Sequence, residues 1–224
     1  MTELTLADLV LNRTMSPAMA ATFATAAAER RSTLAVAIPR GAGKSTVTQA
    51  TLAYAPAGTG IHQLSEEHGS HLGIPAAADG GYLLMSEISQ APMLDYLWGD
   101  PVRRVFASLD AGDFALATAL HASGLEEAIE VICGQNGVPS EHASHLELVF
   151  YLRSLGDDWR NPERRTVDSL YELDRVEDGR PHARLLHRWI EDDDRFEGVE
   201  RPEFIGHVSG AYPSHLELFR ALSP

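Results

Sequence analysis

A glycine-rich segment that contains the only lysine of the chain is the strongest candidate for chemistry. The segment runs from Pro39 to Thr46, after a short apolar run and before a segment with helical spacing. In a strand–loop–helix unit of this kind, backbone N–H groups surround a phosphate, the lysine contacts the β- and γ-phosphates, and the serine hydroxyl binds Mg²⁺. The sequence therefore predicts a nucleotide site with Lys44 as the phosphate-binding cation and Ser45 as the Mg²⁺ ligand.

The loop has a composition that suits a close approach of phosphate. Gly41 and Gly43 provide a permissive backbone where phosphate oxygens come nearest, and Arg40 adds a second cation that could touch a phosphate. Ile38 occupies the position where the G-x-x-x-x-G-K-[ST] pattern has its first glycine, so the turn out of the strand is altered. The predicted nucleotide-binding residues are Arg40, Gly41, Ala42, Gly43, Lys44, Ser45 and Thr46.

Hydrolysis at this site also needs a carboxylate that holds Mg²⁺ or orients the attacking water, usually at the end of a neighbouring strand. Glu87 follows the predicted strand Tyr82–Met85 and is the natural candidate. Glu66 and Glu67 follow an earlier strand, where they could assist through water or metal, and His121 could sense the γ-phosphate by hydrogen bonding. The alternative interpretation is that the acids are solvated strand-end residues and that the histidine is a core residue.

The elements that must position these residues alternate between strands and helices. Short continuous apolar runs at 33–38, 82–85 and 114–120 predict buried strands, and a further strand is predicted over 61–65, with helical spacing in the segments between strands. Continuous rather than alternating apolar strands are typical of a mostly parallel sheet covered on both faces, which is the α/β class. Two turn-flanked segments around Asp178-Gly179 predict a C-terminal antiparallel hairpin.

Capping patterns predict where the helices begin. Thr5 with Asp8 and Ser16 with Pro17 favour two helices within the first thirty residues. Ser123 with Glu126 favours another helix through Cys133, and the segment 144–148 is typical of a capped helix start. We predict one ATPase domain over residues 1–190, followed by an acidic linker and a C-terminal helix over residues 191–224.

Composition restricts the classes of partner. The net charge of −14 excludes binding of nucleic acid by general phosphate neutralisation. Cys133 is the only cysteine, and no signal segment or membrane-spanning apolar run is present, so a cytoplasmic protein is expected. One further group, Arg153, Arg160, Arg164 and Arg165, is interleaved with acids and is interpreted as a solvated, salt-bridged face.

Together these motifs resemble the ATPase domain of the type II and type IV secretion and type IV pilus motors, a RecA-like fold. The resemblance covers residues Thr5 to Trp189. The corresponding segments are the helices before the loop (Leu6–Leu9, Ser16-Pro17, Arg30-Arg31), Pro39–Thr46 as Walker A, Leu64–Glu67 as the acidic box, Tyr82–Ile88 as Walker B, Leu109–Ala122 as the histidine box, and the Asp178-Gly179 hairpin.

The resemblance implies binding of ATP and Mg²⁺, with Glu87 polarising water, His121 as a nucleotide-state sensor and Glu66 or Glu67 near the metal. It also implies membrane-bound secretion or pilus components as partners and a ring-shaped homo-oligomer. Three features differ from the family. The loop starts with Ile38 and Arg40, residues 71–79 contain no arginine where the family has several, and the family's preceding N-terminal domain has no counterpart here.

Three functions therefore stay open. The first is a Mg·ATP-hydrolysing P-loop ATPase with Glu87 as its catalytic carboxylate. The second is a nucleotide-responsive binding protein with little or no hydrolysis, which the missing arginines favour. The third is a P-loop kinase for a small acceptor, although no arginine-rich lid segment follows the sheet core.

Overall fold

The computed structural model describes residues 4–38, 41–76, 80–111, 113–156, 158, 161–203 and 211–222. Within these residues the chain forms a single nine-stranded sheet. Helices pack on both faces of the sheet, and the α/β class predicted from the sequence is confirmed. None of the helices in the described ranges combines the length and the apolar character needed to cross a membrane.

The first part of the sheet is parallel. Its strands are β1 (Thr33–Val36), β2 (Ile61–Gln63), β3 (Gly81–Ile88), β4 (Tyr96–Leu97), β5 (Phe114–Leu120) and β6 (Leu148–Leu155). Their spatial order is β2-β3-β5-β1-β6, and β4 pairs with the end of β3. Strand β1 is therefore central, with Leu34 opposite Thr118 of β5 and Val149 of β6. The loop that follows β1 consequently leaves from the middle of the sheet.

The second part of the sheet is antiparallel and consists of β7 (Arg164–Glu177), β8 (Arg180–Ile190) and β9 (Arg195–Gly198). The predicted hairpin joins β7 to β8 through Asp178 and Gly179. Both residues have positive φ, 51° and 71°, as a two-residue turn of type I′ requires. The parallel sheet with its C-terminal hairpin thus follows the RecA-like arrangement expected from the sequence motifs.

Two helical layers bury the two faces of the sheet. One layer contains α1 (Leu6–Leu11), α2 (Pro17–Ala28), α3 (Lys44–Leu52) and α7 (Ala211–Arg220); the other contains α4 (Asp100–Ala111), α5 (Leu125–Ile129) and α6 (Ser140–Ala143). Side chains of a strand alternate between the faces. Accordingly Leu34 and Val36 pack toward the second layer, whereas Ala35 and Ala37 pack toward the first.

The predicted helix starts near the N-terminus are confirmed. Thr5 and Asp8 form a reciprocal capping box, and the Ser16 hydroxyl accepts a hydrogen bond from Met19 N at 3.1 Å. The start near Ser123 differs from the prediction, because Ser123 N donates to the Glu127 carboxylate at 2.7 Å rather than to Glu126. Helix α5 continues as a π-helical segment over 130–135, which contains Cys133.

Three segments differ from the sequence prediction. Residues 144–148 follow α6 and lead into β6, so the predicted helix start there is wrong. The segment before α4 contains the short strand β4, which pairs with Glu87 and Ile88. Part of the predicted acidic linker is β9, in which Phe196 pairs with Trp189 and alternates with charged neighbours.

Candidate functional site

The glycine loop and the first turn of α3 form an uncapped helix N-terminus. Gly41 and Gly43 have φ values of 76° and 97°, and Gly43 is the N-cap of α3 without a side-chain capping bond. Because the first amides of a helix have no intrahelical acceptors, this end favours an anion. Ser45 is exposed and Thr46 is half-buried beside it. Arg40, also predicted for this loop, lies outside the described residues.

Lys44, Glu87 and His121 meet beside the loop. Lys44 Nζ lies 3.2 Å from Glu87 Oε2 and 3.1 Å from His121 Nε2, and His121 Nε2 lies 3.3 Å from Glu87 Oε2. The side chains of Lys44 and Glu87 are 8% and 7% exposed. The three residues lie at or after the ends of three different strands of the parallel sheet. Because the carboxyl-terminal ends of parallel strands lie at the same edge, the three side chains come together there.

The imidazole of His121 is fixed by the end of β1. Its Nδ1 lies 2.9 Å from the Ala37 carbonyl oxygen and 2.8 Å from the Ile38 carbonyl oxygen. Because carbonyls only accept, we assign the proton to Nδ1. With the ring proton on Nδ1, Nε2 accepts a hydrogen bond from Lys44. If Nε2 also carried a proton, it would donate that proton to Glu87.

One oxygen of Glu87 has no described partner. Oε1 is buried and accepts no hydrogen bond from any residue within the described ranges. A buried unsatisfied carboxylate oxygen is costly, and water or a hydrated cation supplies the missing donors. The residues therefore fit a Mg²⁺-bound or nucleophilic water beside Glu87.

A pocket of about 540 Å³ opens over these groups. Its wall combines the loop and the three clustered side chains with α1, β4 and the start of β7. The volume falls in the range of cofactor and small-molecule sites. The residues beyond the loop and the cluster are Leu4, Leu9, Asn12, Thr14, Val47, Tyr96, Leu152, Pro162, Glu163, Arg164 and Arg165.

Glu66 and Glu67 do not line this pocket. They begin a 3-10 turn over Glu66–His71, and both are exposed. At Glu66 the chain no longer pairs with β3. Its backbone N–H instead donates to the Leu94 carbonyl oxygen at 2.8 Å. Strand β4 then takes the place beside Glu87, with Tyr96 as its register partner. The predicted water- or metal-mediated role of the two acids stays a prediction.

Arg165 is a pocket residue that the sequence prediction placed elsewhere. Instead of joining a salt-bridged face, its Nε donates to the Gly41 carbonyl oxygen at 2.6 Å. Its neighbours in the predicted patch do form ion pairs: Arg164 with Asp194, and Arg153 with Asp168 and Glu191. Arg160 lies outside the described residues. No spacing signal connects Arg165 with the loop, because the two are 124 positions apart.

Comparisons with known proteins found similarity at the level of structure only. No family model matches the chain, and no curated protein matches it. Among solved structures, the VirB11 ATPase of the Brucella suis type IV secretion system, in complex with sulphate, is 15% identical with a TM-score of 0.45. The alignment covers 67% of this chain and 50% of the VirB11 chain, so this protein spans half the length of that structure. We therefore derive the chemistry of the site from its own residues.

The arrangement combines an anion-binding loop with an acid and a base. The α3 N-terminus and Lys44 provide positive potential, while Glu87 provides a hydrogen-bond acceptor at the same end of the pocket. The buried position of Lys44 and Glu87 strengthens their mutual attraction relative to water. The site can thus attract a phosphate and, on the same side, hold a water molecule.

Proposed function

We propose that this protein binds a nucleoside triphosphate at the Gly41–Thr46 loop and hydrolyses it slowly. ATP is the proposed nucleotide. Lys44 would neutralise the terminal phosphates, and the amides at the start of α3 would bind their oxygens. When bound with the nucleotide, Mg²⁺ would neutralise further charge, with the Ser45 hydroxyl as its protein ligand. Glu87 would accept a hydrogen bond from the attacking water.

The observation that carries this proposal is the position of Glu87 relative to Lys44. The carboxylate contacts the cation of the loop through Oε2 and leaves Oε1 without a described donor. A water molecule bonded to Oε1 would lie at the end of the pocket where Lys44 draws the terminal phosphate. That placement supports hydrolysis rather than binding alone.

Steady-state phosphate release tests the proposal. We expect a measurable rate with Mg·ATP for the unaltered protein and a loss of about 100-fold or more for Lys44→Ala and for Glu87→Gln, as for removal of a catalytic acid–base group. The surface pair of exposed Arg188 and half-buried Glu197, on the antiparallel part of the sheet, offers the control Glu197→Gln. Equal rates for all four proteins would exclude the mechanism.

A second candidate is a nucleotide-responsive binding protein without turnover. It is favoured by the contact between Lys44 and Glu87, because the phosphate must compete with a buried carboxylate for the same ammonium. Calorimetric binding of ATP without phosphate release would favour this candidate, and rapid turnover would exclude it. ADP formation that requires an added acceptor would instead favour the P-loop kinase.

The cellular setting is proposed from the motif resemblance alone. It suggests that the protein acts with membrane-bound secretion or pilus components and forms a homo-oligomer only under some conditions. The net charge of −14 opposes self-association. Light scattering with and without ATP would test this, and a stable nucleotide-free hexamer would count against it.

A further inference from the structure

We propose that Arg165 is a second phosphate-binding cation of this site, supplied by the antiparallel part of the sheet. The inference rests on the proposed nucleotide site and names a residue that the loop motif does not contain. Arg165 belongs to β7, which lies beyond β6 in the sheet, whereas Glu87 and His121 end β3 and β5 on the other side of β1. The loop after β1 thus lies between a cation on the side of β7 and the Glu87 and His121 side chains on the other side.

Arg165 fixes the conformation of the loop. Its Nε donates to the Gly41 carbonyl oxygen at 2.6 Å. In a planar trans peptide the N–H of the next residue points opposite to the carbonyl. Holding the Gly41 carbonyl on the side of β7 therefore turns the N–H of Ala42 away from β7.

The rest of the guanidinium remains available to a ligand. Arg165 is exposed and lines the pocket together with Lys44 and the loop. Within the described ranges, Gly41 is the only hydrogen-bond partner of the Arg165 side chain, and no carboxylate forms an ion pair with it. Arginine donates from several nitrogens in one plane and suits phosphate, so the terminal nitrogens can bind an oxygen while Nε keeps the loop in place.

The position of Arg165 also explains why residue 43 is glycine. A Cβ at Gly43 would lie 3.1 Å from Arg165 Cδ, and the φ of 97° disfavours any other residue. The arginine stem therefore lies across the loop at the last residue before α3.

Binding of inorganic tripolyphosphate and of Mg·ATP to Arg165→Lys and Arg165→Gln tests the inference. Both replacements can donate a hydrogen bond to the Gly41 carbonyl, but only lysine keeps the charge. We expect Arg165→Gln to weaken both ligands by about tenfold or more, as for loss of a charge-assisted hydrogen bond. Arg165→Lys should retain most of the affinity and the dependence of that affinity on NaCl concentration. Arg165→Gln should reduce this salt dependence, because it removes the charge.

Arg188→Gln is the matched control, because it removes one positive charge from the same sheet outside the pocket. It should leave both affinities unchanged. Equal affinities for Arg165→Lys and Arg165→Gln would overturn the role of the charge while leaving the nucleotide site intact. An unaltered protein that binds neither ATP nor tripolyphosphate would overturn the proposed function together with this inference.

Discussion

Lys44 Nζ lies 3.2 Å from Glu87 Oε2 in the structure, and both side chains are almost completely buried. The cation that the loop motif assigns to phosphate is thus already paired with the carboxylate assigned to water. A bound triphosphate would draw the ammonium toward its own oxygens and release Glu87 for the water. The stability of the protein and its nucleotide chemistry should therefore both respond to changes at this pair.

Removing one partner of this pair should destabilise the protein strongly. Lys44→Met leaves the buried Glu87 carboxylate without its ammonium partner, which costs about 3 kcal/mol or more in the free energy of unfolding. The double variant Lys44→Met/Glu87→Gln should lose less than the sum of the single variants. Urea unfolding of the unaltered protein, the two single variants and the double variant measures the coupling free energy between the two side chains. The more exposed surface pair Arg188–Glu197 is the control, with an expected coupling below about 1 kcal/mol. Equal couplings would contradict this account.

Glu87→Gln should separate nucleotide binding from turnover. The amide has nearly the shape of the carboxylate but cannot polarise water, so phosphate release should fall about 100-fold. ATP affinity should be retained or increase, because the phosphate no longer competes with a carboxylate for the Lys44 ammonium. Parallel calorimetry and phosphate release check both parts. A variant with normal turnover would remove Glu87 from the mechanism.

His121 should affect turnover more than binding. Its ring connects Lys44 and Glu87 to the Ala37 and Ile38 carbonyls at the end of β1. Replacement by alanine removes these hydrogen bonds but leaves the loop amides in place, so we expect about a tenfold slower phosphate release with nearly unchanged ATP affinity. A tenfold loss of affinity at an unchanged rate would argue that His121 binds ground-state nucleotide instead.

The two loop glycines should not tolerate alanine equally. At Gly43 a Cβ meets both an unfavourable φ of 97° and Arg165 Cδ at 3.1 Å, whereas a Cβ at Gly41 would have no atom of the described residues within 4 Å. Each change should cost about 1 kcal/mol for the left-handed backbone. Only Gly43→Ala should additionally displace Arg165 and weaken tripolyphosphate binding. Thermal unfolding and tripolyphosphate titration of both variants test this difference, and equal affinities would contradict it.

Buried His187 on β8 should make stability depend on pH. Burial lowers the pKa of His187 from 6.5 to about 4, and its Nε2 has no partner among the described residues. The unfolded chain therefore takes up the proton first as pH falls. Stability should decrease from about pH 6.5 to about pH 4, by roughly 3 kcal/mol, and then level off.

Urea unfolding of His187→Leu across this pH range should show a flatter profile. The exposed His182 lies on the same strand, so His182→Gln serves as the control and should keep the slope of the unaltered protein. An unchanged slope for His187→Leu would show that other groups produce the pH dependence.

The central part of the site follows from the sequence because of sheet geometry. Glu87 and His121 each end a continuous apolar strand, and parallel strands end at the same edge as the loop of Lys44. The sequence also predicts the Asp178-Gly179 hairpin, since its turn chemistry is local.

Contacts that depend on the antiparallel part of the sheet do not follow from local patterns. Arg165 reaches Gly41 because β7 lies two strands from β1, so this exposed arginine contacts the loop instead of forming the predicted ion pair. Strand β6 was missed because Ser144 and Glu147 resemble a capping box, whereas the Glu147 carboxylate accepts hydrogen bonds from Arg31 and from Ser32 N. Ser32 is 115 positions from Glu147, so no local sequence pattern reveals this contact.

Calorimetric titration of the full chain with Mg·ATP, beside Lys44→Ala, tests the central claim most directly. We expect one site per chain for the unaltered protein and an affinity at least tenfold weaker for the variant, because Lys44 supplies the charged contact to the terminal phosphates. Absence of binding to the unaltered protein, or equal binding to both, would contradict the assignment of this loop as a nucleotide site.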